Sequence, residues 1–145
     1  MPVTGEYVPS PSRRAADQVE LFERTDGAEG NTMGGVPIVV VTMLGASSGK
    51  VRKTPLMRVE HDGAYALFAS KGGAPEHPTW YRNLLAHPDV EVQDGAQRHD
   101  YRVREVHDDE RSAWWERGTA VWPAYDEYQA KTDRLIPVLV AERSS

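Results

Sequence analysis

The run Lys50-Val51-Arg52-Lys53-Thr54-Pro55 sets three cations within four positions. Charges this close repel unless water or an anion lies between them. One reading is a solvated turn. The other is a clamp for phosphate or carboxylate, with arginine as a bidentate fork and lysine as a point charge. Farther on, Lys71-Gly72-Gly73 follows an apolar stretch. Paired glycines let the backbone take positive φ, let a ligand approach closely and allow successive amides to form an anion-binding nest; an ordinary glycine turn is the alternative. Trp80, Tyr81 and Asn83 open the next segment, and Trp122, Tyr125 and Tyr128 recur at threes around Pro123. Such rings could wall a planar ligand or cover an apolar core.

Other patterns lack what their chemistry needs. Gly45-Ala46-Ser47-Ser48-Gly49 has the letters of a nucleophile elbow, which requires a strand before it and a helix after it. The following VRKTPLMRVE reads as strand, so the stretch is expected to be a hairpin turn. A phosphate loop ending in Gly49-Lys50 would need a glycine where Leu44 stands and a hydroxyl where Val51 stands. His61, His77, His87, His99 and His107 include no pair at metal-ligand spacing, and no metal is expected. Asp108-Asp109-Glu110 reads as the cap and first turn of a helix rather than a catalytic carboxylate cluster.

The elements that must position these groups follow from periodicity. Residues 1–11 read as a flexible arm ahead of one domain over 12–145. Ala15, Ala16, Val19 and Phe22 predict a helix from an N-cap at Ser12 to Thr25. A turn-rich connector over 25–35 precedes Pro37–Leu44, a β-branched run expected as a strand buried on both faces. Leu56–Glu60 and Ala64–Ala69 form a hairpin about Asp62-Gly63, and Val90–Gln93 and Arg98–Val106 a second about Asp94-Gly95. Pro78–His87 is a short helix that Leu84 anchors in the core. Helices over 108–121 and 123–132 precede a last strand, Ile136–Ala141, which Pro137 either assigns to an edge or limits in its pairing at the start. About six antiparallel strands with inserted helices make a mainly β (α+β) fold, a barrel or sandwich rather than a βαβ sheet.

Composition narrows the function classes. The net charge of −5 gives no global basic field for nucleic acid. With no cysteine, disulfides, thiolate catalysis and cysteine-ligated metals are excluded. No apolar run approaches the roughly 20 residues of a membrane span. The first residues lack a hydrophobic signal region, so a cytoplasmic location is the expectation. An anion clamp, a glycine loop and aromatic walls together suit a large planar ligand bearing anionic groups, of which a phosphorylated redox cofactor is the obvious class.

The stretches NTMGGVPIVVVTMLGASSGKVRKTPLM, EHDGAYALFASKGGAPEHPTWYRNLLAHPDVEV and VWPAYDEYQAKTDRLIPVLV resemble the deazaflavin (coenzyme F420)-dependent nitroreductase family over roughly residues 25–142. The resemblance implies a split β-barrel similar to flavin-mononucleotide-binding barrels. It implies coenzyme F420, an 8-hydroxy-5-deazaflavin with a phospholactyl and oligoglutamate tail. Carried over to this chain, Lys50, Arg52, Lys53 and Thr54 would meet the tail. Pro55, Leu56 and Met57, with Ala69, Ser70 and Lys71, would flank the ring. Gly72, Gly73 and Ala74 would bring backbone close, with His77, Trp80 and Asn83 nearby. Met57, Trp122, Tyr125 and Tyr128 would face the substrate. Nitroimidazole-reducing members carry tyrosines in that pocket, and Met57 and Trp122 stand at two such positions here, an expectation against bulky nitro drugs.

The implied activity is hydride transfer from the reduced cofactor to an electron-poor acceptor: a quinone, an activated alkene or a nitro-heteroaromatic. Ser70 and Tyr125 are the candidate catalytic groups, as hydrogen-bond donors to the developing negative charge. A quinone acceptor would bring transient contact with a membrane surface, although Asp17, Glu20 and Glu23 suit anionic lipid poorly. A flavin-mononucleotide oxidoreductase of the same barrel class, separable by an absorbance scan, stays open. So does a deazaflavin carrier or sensor without turnover. The oligomeric state is not legible.

Overall fold

The computed structural model describes residues 3–144, so Met1, Pro2 and Ser145, which fall in the expected arm and at the end of the expected domain, lie outside it. Its elements run α1 (Arg13–Arg24), β1 (Thr32–Met33), β2 (Val36–Leu44), β3 (Val51–Met57), β4 (Glu60–His61), β5 (Ala64–Phe68), a 3-10 turn (Lys71–Gly73), α2 (Thr79–Ala86), β6 (Asp89–Asp94), β7 (Gln97–Val106), α3 (Asp108–Val121), α4 (Ala124–Ala130) and β8 (Val138–Arg143). The strands form one antiparallel sheet in the order β1-β2-β6-β7-β8-β5-β4, with β3 also paired to β2. The sheet curls on itself through the chain from β3 to β4. Met57 pairs with Ile38 and the Arg58 N–H donates to the Pro37 carbonyl at 2.9 Å. The very next residue has moved to β5: the Ala66 N–H donates to the Val59 carbonyl at 2.8 Å, and Glu60 pairs with Tyr65. The expected split barrel of about six strands with inserted helices is the fold.

Two-residue alternation explains how β2 is buried on both faces. Val39, Val41 and Met43 join Leu67, Val90, Val92, Val103 and Leu139 in one cluster, capped by Leu84 of α2. Ile38 and Val40 point the other way, under Val19 and Phe22 of α1. Ser12 caps α1, its hydroxyl accepting from the Ala15 N–H at 3.3 Å. On the far side, Phe68, Val138 and Val140 pack beneath Trp114 of α3 and Tyr125 of α4. Gly118 permits that packing, since a Cβ there would stand 2.2 Å from the Phe68 ring.

Several expectations need correction. The basic run is not a turn before a strand beginning at Leu56, because β3 starts at Val51 and pairs with β2 over seven positions. Pro55 is tolerated inside β3 because, apart from a bridge between Tyr7 and Val51, that edge carries no strand among the described residues. Of the two readings of Pro137 the edge is the wrong one: β8 is interior, between β5 and β7, and its pairing starts just after Pro137. Asp108 does not cap α3: His107 is the cap residue, without a side-chain bond, and Asp108 takes φ 53. Glu110 in that first turn instead takes both terminal nitrogens of Arg104, at 2.8 and 2.6 Å, which pulls its carboxyl below the usual range. The connector over 25–35 holds a short strand, β1. The segment read as a loose arm lies along β3: the Val51 N–H donates to the Glu6 carbonyl at 2.8 Å and the Val8 N–H to the Val51 carbonyl at 2.9 Å.

Candidate functional site

Register decides where the basic run points. Arg52, Thr54 and Leu56 lie opposite Met43, Val41 and Val39, on the face that turns into the barrel. Lys53, opposite Thr42, faces α1, where its Nζ is 2.6 Å from Glu23 and 5.0 Å from the centre of the Tyr7 ring. Lys50 pairs with Glu6 at 3.0 Å on the surface. The basic run is therefore divided, with Lys50 and Lys53 each held by a glutamate and Arg52 on the other face of the strand.

Two recesses meet at Thr54 and Trp80. The first, about 200 Å3, is lined by Met43, Arg52, Lys53, Thr79 and Asn83 together with Ser10 and Pro11, and contains no carboxylate. Among the described residues Arg52 has no hydrogen-bond or ion-pair partner, although it is half-buried. Asn83 is buried and structural: its Oδ1 accepts from the Ala46 N–H at 2.9 Å and its Nδ2 lies 3.8 Å from the Met43 sulfur. That bond fixes the Gly45–Gly49 turn to α2.

The second recess, about 330 Å3, has β3 as one wall, through Thr54, Pro55, Leu56 and Met57. The loop after β5 gives Ser70, Lys71 and Gly72, and the helical side gives Trp122, Tyr125 and Tyr128. Tyr125 is stacked on Phe68, with centroids 4.5 Å apart and planes within 11°. Burial, then the neighbouring Tyr128, pushes its phenol well above the ordinary value, so it stays protonated. Neither the Tyr125 nor the Ser70 hydroxyl has a hydrogen-bond partner among the described residues. The Trp122 indole N–H donates to the Tyr128 hydroxyl at 3.3 Å, joining α3 to α4 across this wall.

The loop answers what the glycines are for. Ser70 is right-handed helical (φ −78, ψ −39), and Lys71 (φ 46) and Gly72 (φ 63) are left-handed. That succession aims adjacent N–H groups to one side as a nest. Gly73 (φ 84) is buried against α4, where a Cβ would stand 2.8 Å from the Tyr128 carbonyl.

Most of the expected ring and acceptor residues meet in this one recess. Ala69 lies behind it in the barrel core, Gly73 against α4, and Ala74 at the end of the 3-10 turn. His77 is on the outer surface with Tyr81, ring centres 4.6 Å apart. Tyr81 itself donates to Glu105 at 2.6 Å, and burial followed by that bond pushes its phenol up to about 12. Sequence reasoning missed Met33, Phe68 and Pro78, which also line the recess. The Pro37–Leu44 pattern gave no signal for Met33, whereas Phe68 was legible as the end of a strand facing a helix.

The sequence profile described as F420H(2)-dependent quinone reductase matches residues 14–143. An F420H(2)-dependent quinone reductase of Mycobacterium tuberculosis (strain H37Rv) is 35% identical over 129 residues, 85% of each chain. A solved F420-H2 dependent reductase is 54% identical, with a TM-score of 0.70 over 73% of this chain and 94% of that one. A second solved structure, described as a domain-swapped dimer, is 49% identical, with a TM-score of 0.73 over 87% of this chain and 98% of the other. At the level of fold alone, a pyridoxamine 5'-phosphate oxidase-like protein from Listeria innocua has a TM-score of 0.54 at 9% identity, over 88% of this chain and 94% of that one. The chain belongs to the F420H(2)-dependent quinone reductase family.

Proposed function

We propose that this chain reduces a quinone with F420H2, holding the cofactor's ring in the aromatic recess and its anionic tail in the cationic one. The observation that carries this is the shared wall at Thr54 and Trp80: an aromatic slot adjoins a recess whose half-buried Arg52 lacks a hydrogen-bond or ion-pair partner among the described residues. An unpaired guanidinium facing a recess without carboxylates suits a phosphate or carboxylate ligand. A nest of backbone amides beside an aromatic wall suits a planar, oxygen-bearing ring.

Coenzyme F420, when reduced, supplies a hydride from C5 of its ring. The protein's part is binding and orientation. Arg52 and Thr54 would hold the tail, with Lys53 bordering the same recess although Glu23 pairs with it, and Lys50, outside the recess and paired with Glu6, contributing least. Pro55, Leu56 and Met57, with Ser70, Lys71 and Gly72, would flank the ring. Ala69, Gly73, Ala74 and Asn83 would set the shape behind it, with His77 and Trp80 at the start of α2. Met57, Trp122, Tyr125 and Tyr128 would receive the acceptor. The Tyr125 phenol, protonated by burial, and the Ser70 hydroxyl are unpartnered donors that would stabilise negative charge growing on the acceptor's oxygen.

The domain is taken as 12–145, with residues 1–11 an appended arm. Transient membrane contact during quinone reduction and self-association both belong to this proposal; the second is suggested by the relative described as a domain-swapped dimer. No helix of the described residues is long and apolar enough to cross a membrane. The experiment is rapid mixing of the protein and F420H2 with quinones, enones and nitroaromatics. Quinones are expected to reoxidise the cofactor fastest, and bulky nitro compounds slowest. Cofactor binding without reoxidation by any acceptor would make the chain a carrier instead.

A further inference from the structure

One half-buried cation has no part in the reading above. Arg134 lies in the segment between α4 and β8, and its guanidinium is spent on the back of the glycine loop. Nη1 donates to the Ala69 carbonyl at 3.1 Å, Nη2 to the Ser70 carbonyl at 2.8 Å and Nε to the Ala74 carbonyl at 2.9 Å. Nη1 also lies 3.0 Å from His77 Nδ1. Arg134 is itself held, since Gln129 of α4 donates to its carbonyl at 2.8 Å and accepts from the Ile136 N–H at 2.9 Å. Lys131 adds a bond from Nζ to the Gly72 carbonyl at 3.3 Å.

The result is a sorting of backbone polarity across the loop. The carbonyls of Ala69, Ser70, Gly72 and Ala74 are engaged by side chains, and that of Lys71 accepts from the Ala74 N–H at 3.1 Å. The N–H groups of Ser70, Lys71 and Gly72 have no acceptor among the described residues, and these three residues line the aromatic recess. Lys71 at φ 46 occupies a conformation that a side-chain-bearing residue keeps only when its surroundings hold it there. A planar fork can grip three carbonyls at once, and a lysine ammonium on a flexible stem cannot reproduce that geometry.

We propose that Arg134 is the positioning residue of the cofactor loop: it locks residues 69–74 so that the Ser70, Lys71 and Gly72 amides form a preset donor face for an electron-rich, oxygen-bearing ring. Arg134 touches neither cofactor nor acceptor and acts through the loop. This rests on the aromatic recess being the ring site. Because Arg134 is not among the residues lining the tail recess, its contribution belongs to the ring and Arg52's to the tail.

The test uses the Arg134→Lys and Arg134→Gln variants, each titrated with oxidised coenzyme F420 and with 8-hydroxy-5-deazariboflavin, which has the ring without the tail. Amide hydrogen exchange on the cofactor-free proteins runs beside it. Both variants are expected to weaken the two ligands by the same factor, about tenfold. The Gly73 and Ala74 amides, which close the loop, are expected to exchange faster, while β5, β8 and the thermal midpoint stay near wild type. Wild-type affinity for the ring-only ligand in the Gln variant would overturn the proposal, as would full restoration by lysine or unchanged exchange at 73–74. A variant that loses the barrel also counts against it, since Arg134 is assigned the loop and not the core. If wild type binds no deazaflavin, the cofactor reading falls, and the exchange result alone decides whether Arg134 braces the loop.

Discussion

The recesses on either side of Trp80 are built by opposite means. The tail side is made by charge: one edge strand turns a guanidinium inward, and nothing on the facing helix neutralises it. The ring side is made by shape: a stacked pair of rings, a left-handed loop and three aromatics from two helices close a slot with little charge of its own. Charge acts over several ångströms and tolerates small displacement, whereas a slot for a planar ring fails when a wall moves by a methyl group. The two sides should respond differently to the same kind of perturbation.

The largest effect is expected on the ring side. Gly118→Ala places a Cβ where the Phe68 ring lies, 2.2 Å away, and Phe68 carries Tyr125 stacked upon it. Overpacking usually costs about 1–3 kcal/mol, and with three Phe68 ring atoms 2.2, 2.7 and 2.8 Å from the new Cβ the cost here should exceed about 3 kcal/mol, read as a lower denaturant midpoint, and should weaken the ring-only ligand along with it. An unchanged midpoint would show that α3 can shift and that the wall is softer than described.

Next comes the tail side. Arg52→Gln removes a charge-assisted bond worth about 1.5–3 kcal/mol, so coenzyme F420 should bind roughly 10- to 100-fold more weakly. The salt dependence of binding should shrink with it, and the ring-only ligand should be unaffected. A matching loss for the ring-only ligand would merge the two recesses into one.

Tyr125→Phe keeps the stacked ring and removes the donor. Cofactor affinity should hold, and single-turnover oxidation should slow about tenfold, less than the 10²–10³ of a closed site because water can substitute. The phenol's raised value gives the sign with pH: its proton stays on through neutral solution, so no rate loss assignable to Tyr125 should appear below about pH 10. A loss near neutrality that the Phe variant abolishes would contradict this. The smallest effect belongs to Lys50→Gln, whose exposed pair with Glu6 leaves it little to offer a ligand; affinity should change by less than about twofold.

What was legible follows the same division. Alternation and Asp-Gly turns found the second hairpin and the turn of the first, whose leading strand is Glu60–His61 while Leu56 and Met57 pair with β2, and the continuous apolar run found β2, because these signals are local. The basic run was visible, but its partition between the two faces of β3 was not. The cations left a solvated turn and a strand-borne clamp both open, and only seven paired positions with β2 place them in a strand. Pro137 left an edge strand and a late start to pairing both open, and only the long-range pairing of β8 with β5 and β7 decides for the late start. Arg134 was invisible because its partners lie 57 to 65 residues away, and a lone arginine before an apolar strand has no distinguishing pattern.

The central claim is that the joined recesses are a deazaflavin site. The most direct measurement is a fluorescence titration of the purified chain with oxidised coenzyme F420, beside an equal titration with flavin mononucleotide. The account predicts a Kd of about 1 μM or tighter for the deazaflavin and binding at least about tenfold weaker for the flavin. Equal affinity for the two would contradict it.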